Sequence, residues 1–384
     1  MLLFTIWMSS MTLNAARPKD SYWDTVAYYD NQIPDTIKTN IKYKGELPKY
    51  IDYVFIRSRL AHLYSNPDLD AAQTQDYPYF TKLKVIERLY HRSNYWYKVE
   101  DDNGNTGYVL EVVTAKRMFR FERALDKIHE LQNFVDGEAA KGRELVSANS
   151  YSPNPANKNP KTQKDKYGTS WEQNTVGKSG SETIYVPDRS IMSIISTNGG
   201  RSLVDVGSIK ENVEIPNGNI ARNPKITPSF KKVVAIDIEN QNTILFERNS
   251  DNEWEVISYG YTKTGIESQL GYETPKGFFV CPTVKYVMGY TDGLGRQEGS
   301  ARYAMRFSGG GYMHGTPVAA SEESKREFVM KQQEKLLGIF TGTRKCVRTA
   351  ETHARFMFDW MAGSKINKNQ NEHSPYETVV FIVF

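Results

Sequence analysis

The chain has 384 residues, 24% of them charged, with 49 Lys and Arg against 45 Asp and Glu and a formal net charge of +4. That length predicts two or three domains, each able to bury a core. No interior run approaches the roughly 20 apolar residues that span a bilayer, which excludes a membrane-embedded body, and the mild, scattered basic excess implies no nucleic-acid partner.

The N-terminus MLLFTIWMSSMTLNAARPKD places an apolar run before small residues and charge, the order of a secretory signal peptide cut near Ala15 or Ala16. No Lys or Arg precedes the run, so a buried first helix competes with that reading. Residues 1–16 are taken as the signal, predicting an exported, periplasmic or cell-envelope protein, and 17–49 as an N-terminal segment. The two cysteines, Cys281 and Cys346, then first suggest a disulfide.

Across 50–116, short β-rich runs alternate with turns: YVFIRSRLAHLYSNP, FTKLKVIERLYH and YWYKVEDDNGNTGYVLEVV. Asp102-Asn103-Gly104-Asn105 is a hairpin signal, because Asn and Gly tolerate the positive φ of tight turns. A small barrel is predicted. Phe121, Leu125, Ile128, Leu131 and Val135 then recur at helical spacing, giving one connector helix within 117–146 with Gly137 as its stop. Residues 147–182 are poor in apolar side chains and rich in Asn, Ser, Pro, Lys and Gly, the composition of a mobile linker or long loop. IYVP, IMSIIS, SLVDV and VEIP, within 183–228, read as a small second barrel or a lead-in.

From 229 to 384 the strand pattern strengthens: a hairpin around Glu239-Asn240-Gln241-Asn242, then WEVISYGYT, GFFVCPTVKYVM and RYAMRF. Two helices interrupt it, one over 321–337 and one over 350–361 with Thr349 as cap and Gly363 as stop.

In TGTRKCVRT, Cys346 sits among Arg344, Lys345 and Arg348 and just before a helix N-terminus, both of which favour a thiolate. The best base for it is His314 in GGGYMHGTP, delivered at a strand end behind a run of glycines. His353 on a helix face and His373 in a polar tail are weaker candidates. His62, His91 and His129 belong to the N-terminal half. No His or Cys pair has zinc-type spacing, and SGGGY lacks the Lys-Ser/Thr of a phosphate loop, so neither a metal nor a cofactor is expected.

Two resemblances follow from these residues. Arg57-Ser58, Trp96-Tyr97-Lys98-Val99 and Gly107-Tyr108-Val109 resemble the strand pattern of bacterial SH3 domains, which in exported enzymes bind or position cell-wall peptide; Trp96 and the tyrosines fit a binding surface or a core equally. TPKGFFV (274–280), RFSGGGYMHGT (306–316) and TRKCVR (343–348), in that order and with a closing strand at TVVFIVF, resemble the L,D-transpeptidases with the YkuD-type catalytic domain. The fold implied is mainly β and multidomain: an SH3-like barrel, a helical connector and a β-rich catalytic domain with a few helices.

The activity that this resemblance implies is acyl transfer on peptidoglycan stem peptides. Cys346 would be the nucleophile, His314 the base, and the carbonyl of Gly315 the holder of its tautomer. Backbone amides of Lys345 and Cys346 would meet the oxyanion, and Arg348, Tyr312, Arg344 and Thr343 would line the substrate side. Two departures stand out. The family's His-Gly before the cysteine is Arg344-Lys345 here, and an insertion, ASEESKREFVMKQQEKLL, separates His314 from Cys346. These keep a catalytically degenerate wall-binding protein in play. A cysteine peptidase or carboxypeptidase acting on stems is the other alternative, although papain-like wall peptidases place cysteine before histidine.

Overall fold

The computed structural model describes residues 23–150, 174–267, 273–291, 296–363 and 369–384, which are mainly β. The expected signal peptide and residues 151–173 of the expected linker lie outside them. The chain divides into two compact units, one of residues 1–30 and 54–115, the other of 31–53 and 116–384.

In the first unit the strands Leu60–Tyr64, Gln73–Pro78, Lys82–His91, Asn94–Glu100 and Thr106–Leu110 pair antiparallel. Period-two alternation in KLKVIERLYH buries Leu83, Val85 and Leu89 on one face. Leu83 and Val85 help to build the core with Val54, Ile56, Leu63, Tyr97, Val99 and Val109. The hairpin signal at 102–105 forms a turn: Gly104 takes φ +83, and the Asp101 carboxylate accepts the amides of Asn103 and Asn105, both at 2.9 Å. Trp96 is 1% exposed against Tyr64, Leu89 and Tyr108, so it is core rather than binding surface.

The second unit is built around a sheet in which the strand Lys232–Asp237 is buried along its whole length. Val233 and Ala235 pack against helix α1 (Phe121–Ala140), while Val234 and Ile236 pack on the opposite side against helix α3 (Glu351–Ala362). A strand covered on both faces reads as a continuous apolar run, as KVVAI does. Val379–Val383 lies parallel beside it and Asn242–Arg248 antiparallel. The sheet continues through Trp254–Lys263, Val347–Thr349, Gly311–His314, Gln297–Ser308 and Val284–Thr291.

A separate seven-stranded sheet is formed by strands within 145–148 and 174–221, with Val146, Ile184, Val186, Met192, Val204 and Ile215 in its own core. Its strands Leu145–Ala148 and Asn174–Ser179 occupy parts of the stretch expected to be linker, because pairing with Ile191–Asn198 and Glu182–Pro187 satisfies backbone that composition alone leaves open. Three helix details also differ from the sequence reading. Helix α1 passes through Gly137 and ends at Ala140, before Gly142 at φ +70. The 321–337 helix is a 3-10 segment, Ala320–Lys325, followed by a short α2, Arg326–Glu334. The residue before α3 is Ala350, with no side-chain cap. Thr349 donates instead to the Tyr261 carbonyl at 3.3 Å, and Glu334, from the insertion, accepts the Glu351 amide at 2.9 Å. Gly363 closes α3 at φ +68.

Candidate active site

Two short parallel strands carry the candidate nucleophile and base. In their register Met313 faces Val347 and His314 faces Arg348. Met313 and Val347 both point into the α3-side core. Alternation therefore turns His314, Arg348, Tyr312 and the adjoining Cys346 to the other face. Cys346 aligns with Tyr312, two residues before His314, so its Cα is about 8 Å from that of His314 across one strand spacing and two residue rises.

The loop into Cys346 is held by the end of the Trp254–Lys263 strand. Gly342 and Thr343 donate their amides to the Thr264 carbonyl at 2.9 and 3.1 Å, and Ile266 donates to the Thr343 carbonyl at 3.1 Å. The Thr343 hydroxyl donates to the Cys346 carbonyl, and the Thr274 hydroxyl to the Lys345 carbonyl at 2.9 Å. Thr274 opens the TPKGFFV motif, so its hydroxyl ties that motif to the cysteine loop. Lys345 is buried and adopts φ +70, the left-handed region where a glycine sits without strain. Arg344 is exposed, Thr343 is buried, and Tyr312 is half-buried beneath the Lys285 ammonium at 5.9 Å.

His314 is 4% exposed, and its Nδ1 lies 2.6 Å from the Gly315 carbonyl oxygen. That oxygen can only accept, so Nδ1 carries the proton and Nε2 the lone pair. Burial lowers the imidazole to about 4; the Gly315 carbonyl works against this and the Arg348 charge adds to it. The ring is neutral at pH 7. The Cys346 thiol, half-buried, donates to the Gly310 carbonyl at 3.7 Å. Burial raises the thiol, opposed by the Tyr312 backbone and by the charges of Arg348 and Lys345. The sequence reading, in which flanking cations favour the thiolate, is thus reversed: desolvation outweighs them. The resting pair is thiol and imidazole, not thiolate and imidazolium.

The remaining histidines have other partners. His353 is 3% exposed between the Ser258 hydroxyl at 2.8 Å and that of Thr349 at 3.3 Å, and burial lowers it to about 4. His373 faces the Gln370 carbonyl at 2.9 Å. Cys281 is fully buried, and burial raises its thiol to about 12; both cysteines are free, so the disulfide is absent. Among the described residues no cluster of His, Cys, Asp and Glu could hold a metal, and no helix is long and apolar enough to cross a membrane.

Sequence reasoning missed two residues here. Glu334, besides meeting the Glu351 amide, accepts the Thr316 hydroxyl at 3.1 Å, so the insertion joins the His314 loop to the segment after Cys346. Lys263 pairs directly with Arg348 across the strands. Only strand register reveals it.

Residues 59–113 match the bacterial SH3 domain family. No curated protein matches the chain. Among solved structures, the chain is similar to an L,D-transpeptidase from Mycobacterium smegmatis, at 14% identity over 54% of this chain and 76% of that one, with a TM-score of 0.28. It is also similar to L,D-transpeptidase 3 from Mycobacterium tuberculosis, at 16% identity over 63% and 91%, TM-score 0.27. A third similar structure is a fused Zn-dependent amidase/peptidase/peptidoglycan-binding domain-containing protein from Clostridium acetobutylicum, at 12% identity and TM-score 0.26, covering 40% of this chain and spanning 52% of that protein's length.

Proposed function

We infer that this chain is an exported, cysteine-dependent L,D-transpeptidase that acts on peptidoglycan stem peptides. The observation that carries the reading is a neutral imidazole, its Nε2 unprotonated, on a strand whose parallel neighbour is entered directly from the thiol-bearing Cys346. In the reaction the Cys346 proton passes to His314 Nε2 as Sγ attacks a stem carbonyl, and the oxyanion is met by the amides of Lys345 and Cys346. Collapse breaks the C–N bond. The leaving amine takes the proton from the imidazolium, and a thioester remains. An acceptor amine then gives a proton to Nε2, attacks the thioester and restores the thiol. Because both partners rest neutral in a desolvated site, proton transfer accompanies attack rather than preceding it. Arg348 would hold a substrate carboxylate, with Tyr312, Thr343 and Arg344 lining the approach, and the SH3 domain would position wall peptide.

Arg344-Lys345 in place of His-Gly favours a second reading, a wall-binding protein that has lost the reaction. Incubation with tetrapeptide muropeptides, followed by mass spectrometry, separates the readings. Cross-linked dimers from the wild type and none from Cys346→Ala support transpeptidation. Shortened stems without dimers indicate a carboxypeptidase or endopeptidase, and no product from either protein indicates the binding role.

A further inference from the structure

The insertion between His314 and Cys346 is tied to one residue, Glu351, from both ends of helix α2. At the start of the helix Arg326 donates to the Glu351 carboxylate at 3.0 Å, and at its end the Glu334 carboxylate accepts the Glu351 amide at 2.9 Å. Arg326 also meets Glu323 at 3.0 Å, Glu323 meets Arg302 at 3.3 Å, and Arg302 meets Glu351 at 3.7 Å. Four side chains therefore close a ring of alternating charge, with Arg326 and Glu351 on its more buried side. Such a network fixes its members better than an isolated exposed pair, because each side chain is already ordered by a neighbour.

The His314 turn sits inside this frame. The Gly315 amide donates to the Arg302 carbonyl at 2.9 Å, and a Cβ on Gly315 would fall 3.2 Å from that same oxygen and 3.2 Å from Glu351 Cα. Glycine lets the turn lie between the two. The next residue, Thr316, is 2% exposed, and its hydroxyl donates to Glu334 Oε1 at 3.1 Å, the oxygen that also accepts the Glu351 amide. The Gly315 carbonyl and the Thr316 amide belong to one rigid peptide plane. An anchor on Thr316 therefore limits rotation of the carbonyl that holds His314 Nδ1 at 2.6 Å.

We propose that Glu334 is a positioning residue for His314: through Thr316 it holds the Gly315 carbonyl against Nδ1 and so keeps the lone pair on Nε2. This goes beyond the transpeptidase reading, since the state of the ring is readable with no wall substrate present. The tautomer of a neutral histidine is set by the hydrogen bond that its other nitrogen makes. A carbonyl free to turn away lets the proton move to Nε2, and the base is lost. The insertion thus buttresses the imidazole that it separates from the cysteine in sequence.

Nitrogen-15 labelling of histidine tests this in the full chain, because proton–nitrogen spectra distinguish Nδ1–H from Nε2–H and the His314 signals are assigned by their loss in His314→Gln. His353, held by Ser258 and Thr349, is the control for intact folding in the same spectra. At pH 7 wild-type His314 should show Nδ1–H alone. Thr316→Val, which leaves the Glu351 amide its acceptor, and Glu334→Ala should both show mixed tautomers at His314 with His353 unchanged. Glu334→Gln keeps an acceptor oxygen and should restore Nδ1–H. Alkylation of Cys346 by iodoacetamide, in which sulfur bonds to carbon as iodide leaves and the thiol proton passes to Nε2, should slow roughly 10- to 100-fold in the first two variants and stay near wild type in the third. Should Glu334→Ala also shift His353, Thr316→Val alone decides. Nδ1–H retained at His314 in either variant, or Nε2–H in the wild type, overturns the proposal. A tautomer that shifts in these variants, together with no cross-linked muropeptide from the wild type, keeps the positioning role and removes the transpeptidase reading.

Discussion

Acid should weaken this fold through two histidines. His314 and His353 are each at least nine-tenths buried and neutral, and burial brings both to about 4, against 6.5 for the unfolded chain. A depressed folded value means that the unfolded state takes up protons first. Their contribution is therefore intact above about pH 6.5 and is lost as pH falls towards 4. Integrating the difference between pH 7 and pH 5 gives about 2 kcal/mol for each histidine, or about 4 kcal/mol together. Neither ring has a carboxylate partner that could offset this: His314 faces the Gly315 carbonyl, and His353 faces two hydroxyls. Urea unfolding followed by tryptophan fluorescence, at both pH values, measures it. The wild-type unfolding free energy should fall by about 4 kcal/mol, and that of His353→Gln by about half as much. An equal fall in wild type and His353→Gln would refute the reasoning, because it would mean that the ring is already charged or solvated at pH 7.

Three further outcomes follow from the same geometry. The rate of Cys346 acylation should be level from about pH 6 to 8 and should drop below about pH 5 as His314 takes a proton, with a midpoint near 4; a midpoint near 6.5 would mean an exposed imidazole. Gly260→Ala should lower thermal stability by about 1–3 kcal/mol, since its Cβ would fall 2.5 Å from His353 Nδ1, and an unaffected melting curve would contradict that packing. A carbapenem, as a strained acyl donor, should add its mass to the wild type and to Cys281→Ala but not to Cys346→Ala, by intact-protein mass spectrometry. Adduct on Cys281 would reverse the assignment.

Local signals carried the elements whose causes are local. The Asp101–Asn105 turn depends on side-chain acceptors within four residues and on one glycine, and VVFIV is apolar enough to be a strand covered on both faces. The order of the TPKGFFV, His314 and Cys346 segments likewise needs no three-dimensional information. What escaped the sequence depends on distant partners. Thr349 looked like a cap, but the α3 amide is satisfied by Glu334, 17 residues earlier. Gly137 looked like a stop, but packing of Leu131, Val135 and the buried Glu138 carries α1 past it, with Lys141 and Arg143 bound to that carboxylate. Leu145–Ala148 and Asn174–Ser179 overlap a stretch poor in apolar residues and join a sheet only by pairing with Ile191–Asn198 and Glu182–Pro187. The direction of the Cys346 shift was misread because three nearby cations are visible in sequence and burial is not. Lys263 escaped because only strand register sets it opposite Arg348.

The most direct measurement is the intact mass of the protein after brief incubation with a stem tetrapeptide in the absence of an amine acceptor. The wild type should gain the mass of the acyl stem, lacking its leaving residue, bound through Cys346 as a thioester that hydroxylamine releases. No adduct on the wild type, or an adduct that persists in Cys346→Ala, would contradict it.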